Sequence, residues 1–229
     1  MPLELLKHDQ QYSYKYRNHL YALTNGPLVY LATFKCASTF FNRNLRNWQW
    51  SEIPFTEINW ADQRVFSHIM DPWERRHKGI AEYLNMSECI DLWYENERFR
   101  NMLRSVPTLD EHSASYMDTY GNYAWMIDWI PLQPNHDDTV NLTERLLYTY
   151  GTRLFKWDYD LSHIGDDRKR QLSEDIKRHW DVARQHTQFS DVYFERDRIL
   201  YSSVMRDFNP AADTWERTSW LNKQTTRQY

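Results

Sequence analysis

The chain has 229 residues, 41% of them apolar, with 11 Trp, 16 Tyr and only five Gly. That composition excludes a disordered or low-complexity chain and leaves room for one domain with a sizeable core. A formal charge of −4 gives no global basic field and argues against nucleic acid as the main partner. The two cysteines, Cys36 and Cys89, are too few for a disulfide framework and suit a reducing compartment.

The N-terminal stretch MPLELLKHDQQYSYKYRNHL lacks the unbroken apolar run of a signal peptide, and no segment has the length of a membrane span. A soluble, cytoplasmic protein is expected, with the sequons at Asn85 and Asn141 as chance matches. Residues 1–26 are polar and aromatic and end in the turn signal Asn25-Gly26-Pro27.

Leu28 to Leu45, LVYLATFKCASTFFNRNL, then reads as an apolar strand, a short polar turn and an amphipathic helix running to about Asn47. In an α/β protein this order places the turn at the carboxyl end of a strand, where ligands bind. Lys35, Ser38 and Thr39 surround the first N–H groups of that helix. Free N–H groups, the positive end of the helix dipole and an ammonium together make an anion site. A plainer reading stands beside it: Ser or Thr before an apolar helix is an ordinary N-cap, and Lys35 one more solvated lysine. The usual GxxxxGK[ST] loop is absent, and this turn has no glycine.

Trp48 to Trp60 is ambiguous between loop and strand. Arg64 to Met70 is a second apolar run of strand length. It ends at Asp71-Pro72-Trp73-Glu74, which predicts a helix with Asp71 as N-cap, Pro72 at N1 and Glu74 closing a capping box, continuing to about Met86. A further helix is expected over 90–105. A long connection over 106–123 is of a kind that is often functional. A third strand over 125–132 and a short helix over 142–150 follow. The last third reads as helical over 173–186 and 196–206, with a polar tail after Asn209 anchored by Trp215 and Trp220. No repeat or linker divides the chain, so one domain spans 1–229, with its core over 27–205 and a tail over 209–229.

The two strand–turn–helix units, 28–45 and 64–86, together resemble the PAPS-dependent sulfotransferases, particularly the branch with the heparan and uronyl 2-O-sulfotransferases. In that family the first unit reads PK(T/V)xS(T/S) and holds the 5′-phosphosulfate. Phe34-Lys35-Cys36-Ala37-Ser38-Thr39 is similar to it, with Phe34 where proline is usual. The second reads RDPxxRxxS and binds the 3′-phosphate; Met70-Asp71-Pro72-Trp73-Glu74-Arg75-Arg76-His77-Lys78 resembles it in Asp71, Pro72, Glu74 and Arg75. Asp110-Glu111-His112 is faintly similar to a D-x-H segment of the branch, and Asp197 to Tyr201 to its D-x-x-L-Y helix. Met70 and Lys78 depart from the family Arg and Ser. Losing such a charge-assisted bond typically costs about 1.5–3 kcal/mol, and Lys78, one turn from Arg75, is placed to restore part of it as a point charge.

The resemblance implies a P-loop-NTPase-like three-layer α/β sandwich with a central, mostly parallel sheet flanked by helices. It implies in-line transfer of a sulfuryl group from PAPS to a hydroxyl, without a metal. Lys35, Cys36, Ala37, Ser38, Thr39, Arg75 and Lys78 would hold the nucleotide, with Lys35 also stabilising the leaving phosphate. The candidates for the general base are Glu52, Glu57 and His68, with His112 as an outsider from the long connection; position relative to the second unit favours Glu52 or Glu57, and His68, in mid-strand, also reads as a core histidine. A glycan or small metabolite is the expected acceptor, with Trp48, Trp50, Trp60 and the aromatics of 116–129 either stacking on sugar or packing in the core. Neither nucleic acid nor a membrane is expected as a partner. Two other readings stay open: a catalytically lapsed nucleotide-binding protein on the same fold, and a P-loop-like small-molecule kinase.

Overall fold

The computed structural model describes residues 20–105, 112–159, 167–186 and 192–208. Its sheet starts from a hairpin. Strand β1 (Tyr21–Asn25) turns through Gly26 and Pro27 into β2 (Leu28–Leu31), with Asn25 paired to Leu28. Gly26 has φ +59°, and a left-handed first residue followed by proline meets the requirement of a type II′ turn. The sequence marked this turn but gave residues 21–25 no strand character.

Three more strands complete the sheet. β3 (Ser51–Pro54) pairs antiparallel with β1, whereas β4 (Arg64–Ile69) adds to β2 in parallel and β5 (Asp128–Pro131) adds to β4 in parallel. The order is β3-β1-β2-β4-β5. Four strands therefore point one way and β1 runs against both its neighbours, so the sheet is mixed. The chain is α/β, and the carboxyl ends of β2, β3, β4 and β5 share one edge.

Period-two alternation buries both faces. Ala22, Val29, Leu31, Val65, Ile69 and Trp129 pack on one side against Tyr116, Tyr120, Leu200 and Val204. Leu23, Leu28, Tyr30, Phe66 and Ile130 pack on the other against helices α1 (Ser38–Asn47) and α6 (His136–Thr149). A third cluster joins α2 (Pro72–Met86), α3 (Ile90–Glu95), α4 (Glu97–Ser105) and α7 (Asp167–His186). Helices α5 (Tyr116–Tyr120) and α8 (Val192–Asp207) complete the described elements, with short 3-10 turns at Phe55–Glu57 and Gly121–Met126.

Several expectations shift in detail. The helix expected over 90–105 breaks into two where Asn96 takes an extended conformation. α6 starts six residues before the expected Leu142, capped by the Asn135 side chain on the Asp137 N–H. Asp71 caps α2 as expected, accepting from the N–H groups of Trp73 and Glu74 at 2.9 and 3.1 Å. Glu74 itself turns to α7, where it meets Lys177. The tail beyond 208, with Trp215 and Trp220, and the pair Asp110-Glu111 lie outside the described residues. Among the described residues no helix is long and apolar enough to cross a membrane.

Candidate functional site at the turn between β2 and α1

The turn at the carboxyl end of β2 is made without glycine, yet two of its residues adopt left-handed backbone: Lys35 at φ +65° and Ala37 at φ +58°. Such conformations are uncommon for side chains other than Gly, Asn and Asp, and they cluster where a loop holds a ligand. Such residues can turn backbone N–H groups toward one concavity, as in an anion nest, although here the Cys36 N–H is given to the Thr33 carbonyl at 3.1 Å. Ala37 is also the N-cap of α1, with no side-chain hydrogen bond to the helix start. Ser38 and Thr39 are thus inside the helix, and the N-cap role the plainer reading gave them falls to a residue with no side-chain oxygen. The first-turn N–H groups point out of the helix without an intrahelical carbonyl.

Beneath the turn is a polar hub. Arg75, 3% exposed on α2, donates from Nε to the Phe34 carbonyl at 3.0 Å and from its NH1 nitrogen to the Ala114 carbonyl, and its guanidinium lies 4.6 Å from the Tyr116 ring centre. Tyr116 accepts from the Met70 N–H and donates to the Met70 carbonyl, which leaves the Cys36 thiol to donate to the phenol oxygen at 3.3 Å. Burial pushes the Cys36 thiol up, so its side chain is a neutral core group and only its backbone faces the turn. Ser67 donates to the Leu31 carbonyl, so Thr33 must donate to Ser67 and Tyr120 to Thr33. Asp197 on α8 accepts from the N–H groups of Tyr116 and Met117 at 2.7 and 2.9 Å, and burial raises its carboxyl to about 7 despite those bonds.

Lys35 is part-buried and reaches α2, with Nζ 2.7 Å from Oε2 of Glu82. Lys169 of α7 lies 2.8 Å from the same oxygen. Hydrogen bonds and charge from the two lysines outweigh desolvation and hold the Glu82 carboxyl at about 2. Lys78 is exposed on α2 between Arg75 and Glu82. His112 packs against Phe34 with ring centres 4.6 Å apart and planes tilted by 56°, and its carbonyl rests against Gly79 so closely that a Cβ there would meet it at 2.2 Å. Lys35, Ala37, Ser38, Thr39, Arg75, Lys78 and His112 therefore surround or support one turn.

The remaining candidates are elsewhere. Glu52, on the edge strand β3, pairs with Arg46 at the far end of α1, about 12 Å along the helix from Ser38. Glu57 is exposed at the shared carboxyl edge, but β3 is two strands from β2, about 10 Å away. His68 is fully buried, stacked on Phe41 and bonded through Nε2 to Thr143, and burial lowers its imidazole to about 3. Trp48 and Trp50 are core residues at 6% and 5% exposure, with no free face for a sugar, and Trp60 stacks on Tyr123.

Sequence reasoning passed over Glu82, Lys169 and Thr33 altogether, and took Tyr116 only as one of the aromatics of 116–129, without its role beneath the turn. Asp197 was visible only as a letter in the D-x-x-L-Y likeness, without a role. Among the described residues no three His, Cys, Asp or Glu side chains gather as metal ligands would. No protein-family model, no curated protein and no solved structure matches this chain.

Proposed function

We propose that this chain is a PAPS-dependent sulfotransferase on a P-loop-NTPase-like three-layer fold, acting on a hydroxyl of a glycan or small metabolite. The observation that carries the reading is the bare start of α1, preceded by a turn with two left-handed residues and fixed from below by the α2 of the second unit. A helix start with no side-chain cap, framed by cations, favours a multiply charged oxyanion.

In this reading the 5′-phosphosulfate lies on the N–H groups of 37–39, near Lys35. The sulfur–oxygen bond to the phosphate breaks as the acceptor oxygen bonds to sulfur, and the leaving phosphate keeps the electron pair. The N–H groups and Lys35 offset the charge that builds there. The acceptor proton passes to His112, the candidate base that packs against the turn, whereas Glu52 is committed to Arg46 at the other end of α1. Arg75 uses two donors on backbone carbonyls and supports the turn, so 3′-phosphate recognition falls chiefly to Lys78.

A thermal-shift comparison of 3′-phosphoadenosine 5′-phosphate, ATP–Mg²⁺ and AMP tests the reading, because a ligand specific to the native state raises its apparent stability. Selective stabilisation by the bisphosphate, followed by transfer of label from PAPS to a hydroxyl panel, is the expected result. Preference for ATP–Mg²⁺ would move the assignment to a kinase. Bisphosphate binding without transfer would mark the lapsed binding protein, a reading favoured by the neutralising contact of Glu82 with Lys35.

A further inference from the structure

We infer that binding of a divalent oxyanion at the Phe34–Thr39 turn is coupled to uptake of a proton by Asp197 on α8, because the anion and the Asp197 carboxylate draw on one buried counter-charge, Arg75. This rests on the proposed reading of that turn as an anion site and adds to it a dependence on pH.

Two opposite charges are buried in the hub without touching. Arg75 is 3% exposed; its hydrogen bonds go to the Phe34 and Ala114 carbonyls, and its guanidinium lies over the Tyr116 ring. Asp197 is 1% exposed and accepts from the N–H groups of Tyr116 and Met117. Neither forms an ion pair among the described residues, and Tyr116 touches both. A buried charge is costly unless an opposite one offsets it, and across Tyr116 each of these two offsets the other. The attraction of Arg75 favours the Asp197 carboxylate, but burial outweighs it and leaves the group at about 7.

The other groups around Asp197 do not replace Arg75. Asp118 on α5 repels the carboxylate. β5 contributes Trp129 to the core that holds α8, and burial keeps the Cys36 thiol and the Tyr116 phenol protonated. Farther along α8, Asp71 at the start of α2 bears on Tyr201.

Arg75 reaches the Phe34 carbonyl at 3.0 Å, so an anion held on the N–H groups just beyond lies in the field of the same guanidinium. It becomes a second counter-charge for Arg75 and repels the Asp197 carboxylate, which then takes a proton from solvent more readily. By reciprocity, the turn binds the anion more tightly once Asp197 is neutral. The neutral acid keeps its place, because Leu200 and Val204 hold α8 in the core and its oxygens still accept from the two N–H groups.

Sulfate is the probe, since it stays divalent from about pH 5.5 to 8 whereas phosphate takes up a proton in that range. All titrations use His112→Gln, which removes the imidazole beside the turn from the proton count. Calorimetry at pH 7 in buffers of different ionisation enthalpy should find a fraction of a proton taken up per sulfate. Affinity should be about fivefold higher at pH 5.5 than at pH 8, the low end of usual coupling between sites. Adding Asp197→Asn, a permanently neutral isostere, should abolish the uptake and give the higher affinity at both pH values. If Asp197 is only a strut, its loss weakens binding instead, and that result overturns the inference. Zero proton uptake in His112→Gln overturns it without any change at Asp197. In both cases the bound sulfate leaves the reading of the turn as an anion site standing. Sulfate binding with proton uptake, by a chain that ignores 3′-phosphoadenosine 5′-phosphate, keeps this inference and removes the sulfotransferase. A chain that binds sulfate at no pH removes both.

Discussion

The Nε–H of Arg75 donates to the carbonyl of Phe34 across 3.0 Å, joining the helix of the second strand–turn–helix unit to the turn of the first. Through its NH1 nitrogen the same guanidinium also holds Ala114, two residues beyond His112. One buried side chain therefore fixes both the turn and the segment that carries the candidate base.

Replacing Arg75 by lysine keeps the charge and loses the fork that spans two carbonyls. Lys at this site should cost about 1.5–3 kcal/mol in urea unfolding, the usual size of a hydrogen bond to a charged group. Affinity for 3′-phosphoadenosine 5′-phosphate should fall at least tenfold, because Phe34 is released and the turn loses its shape. Undiminished affinity in a stable Arg75→Lys variant would show that the turn holds itself.

Gly79→Ala places a methyl group 2.2 Å from the His112 carbonyl oxygen and 2.9 Å from Ser113 Cα, and both obstacles are backbone. The segment must move off α2, at about 1–3 kcal/mol for a forced overpacking. The expected signature is a loss of turnover larger than the loss of nucleotide affinity, since His112 leaves Phe34 while the α1 start stays in place. Steady-state kinetics beside a binding titration reads the two separately.

Ala37 carries left-handed backbone at the start of α1. Ala37→Gly should raise stability by about 1 kcal/mol, because glycine has no Cβ to clash in that conformation. Ala37→Val should lower it. Chemical denaturation of the pair, with unchanged far-ultraviolet spectra, checks the sign at the turn.

Asp197 is fully buried with its carboxyl raised to about 7 from an ordinary 3.8. Between those two values the native state holds a proton that the unfolded chain has lost, so this group makes stability fall as pH rises from about 4 to 7. The fall is at most about 4 kcal/mol, at 1.36 kcal/mol per unit. Glu82 acts in the opposite sense: its carboxyl is held at about 2 against an ordinary 4.5, so its contribution is complete above pH 4.5 and fades as pH drops toward 2. Urea midpoints from pH 4.5 to 7.5 should slope downward in wild type and flatten in Asp197→Asn; a slope that survives the substitution belongs to another group.

Local signals in the sequence were read well. The end of α1 at Asn47 and the α2 helix with its Asp71 cap follow from short-range patterning and appear where expected, although α1 begins at Ser38, within the stretch read as the turn. β1 was missed because Tyr21 to Asn25 alternates weakly and its partners, Leu28–Leu31 and Ser51–Pro54, decide its strand character. At the site, the turn and Lys35 were legible because they are contiguous. Glu82 and Lys169 were not, since nothing in the spacing of residues 35, 82 and 169 says that three separate elements converge on one oxygen. The absence of glycine from the turn argued against the usual phosphate-binding loop; its left-handed positions are taken instead by lysine and alanine.

The tight connection between Asn25 and Leu28 also sets an order of assembly. Antiparallel neighbours two residues apart close with little loss of chain entropy, whereas Leu28 meets Arg64, and Phe66 meets Asp128, only after long crossovers have been threaded. The paired ribbon is therefore the template on which the parallel half of the sheet is laid down. Pulse-labelled hydrogen exchange should find amides of residues 22–31 protected before those of 65–69. The turn that follows Leu31 would then exist early as a loose end, and take its working shape only when α2 swings in and Arg75 catches it.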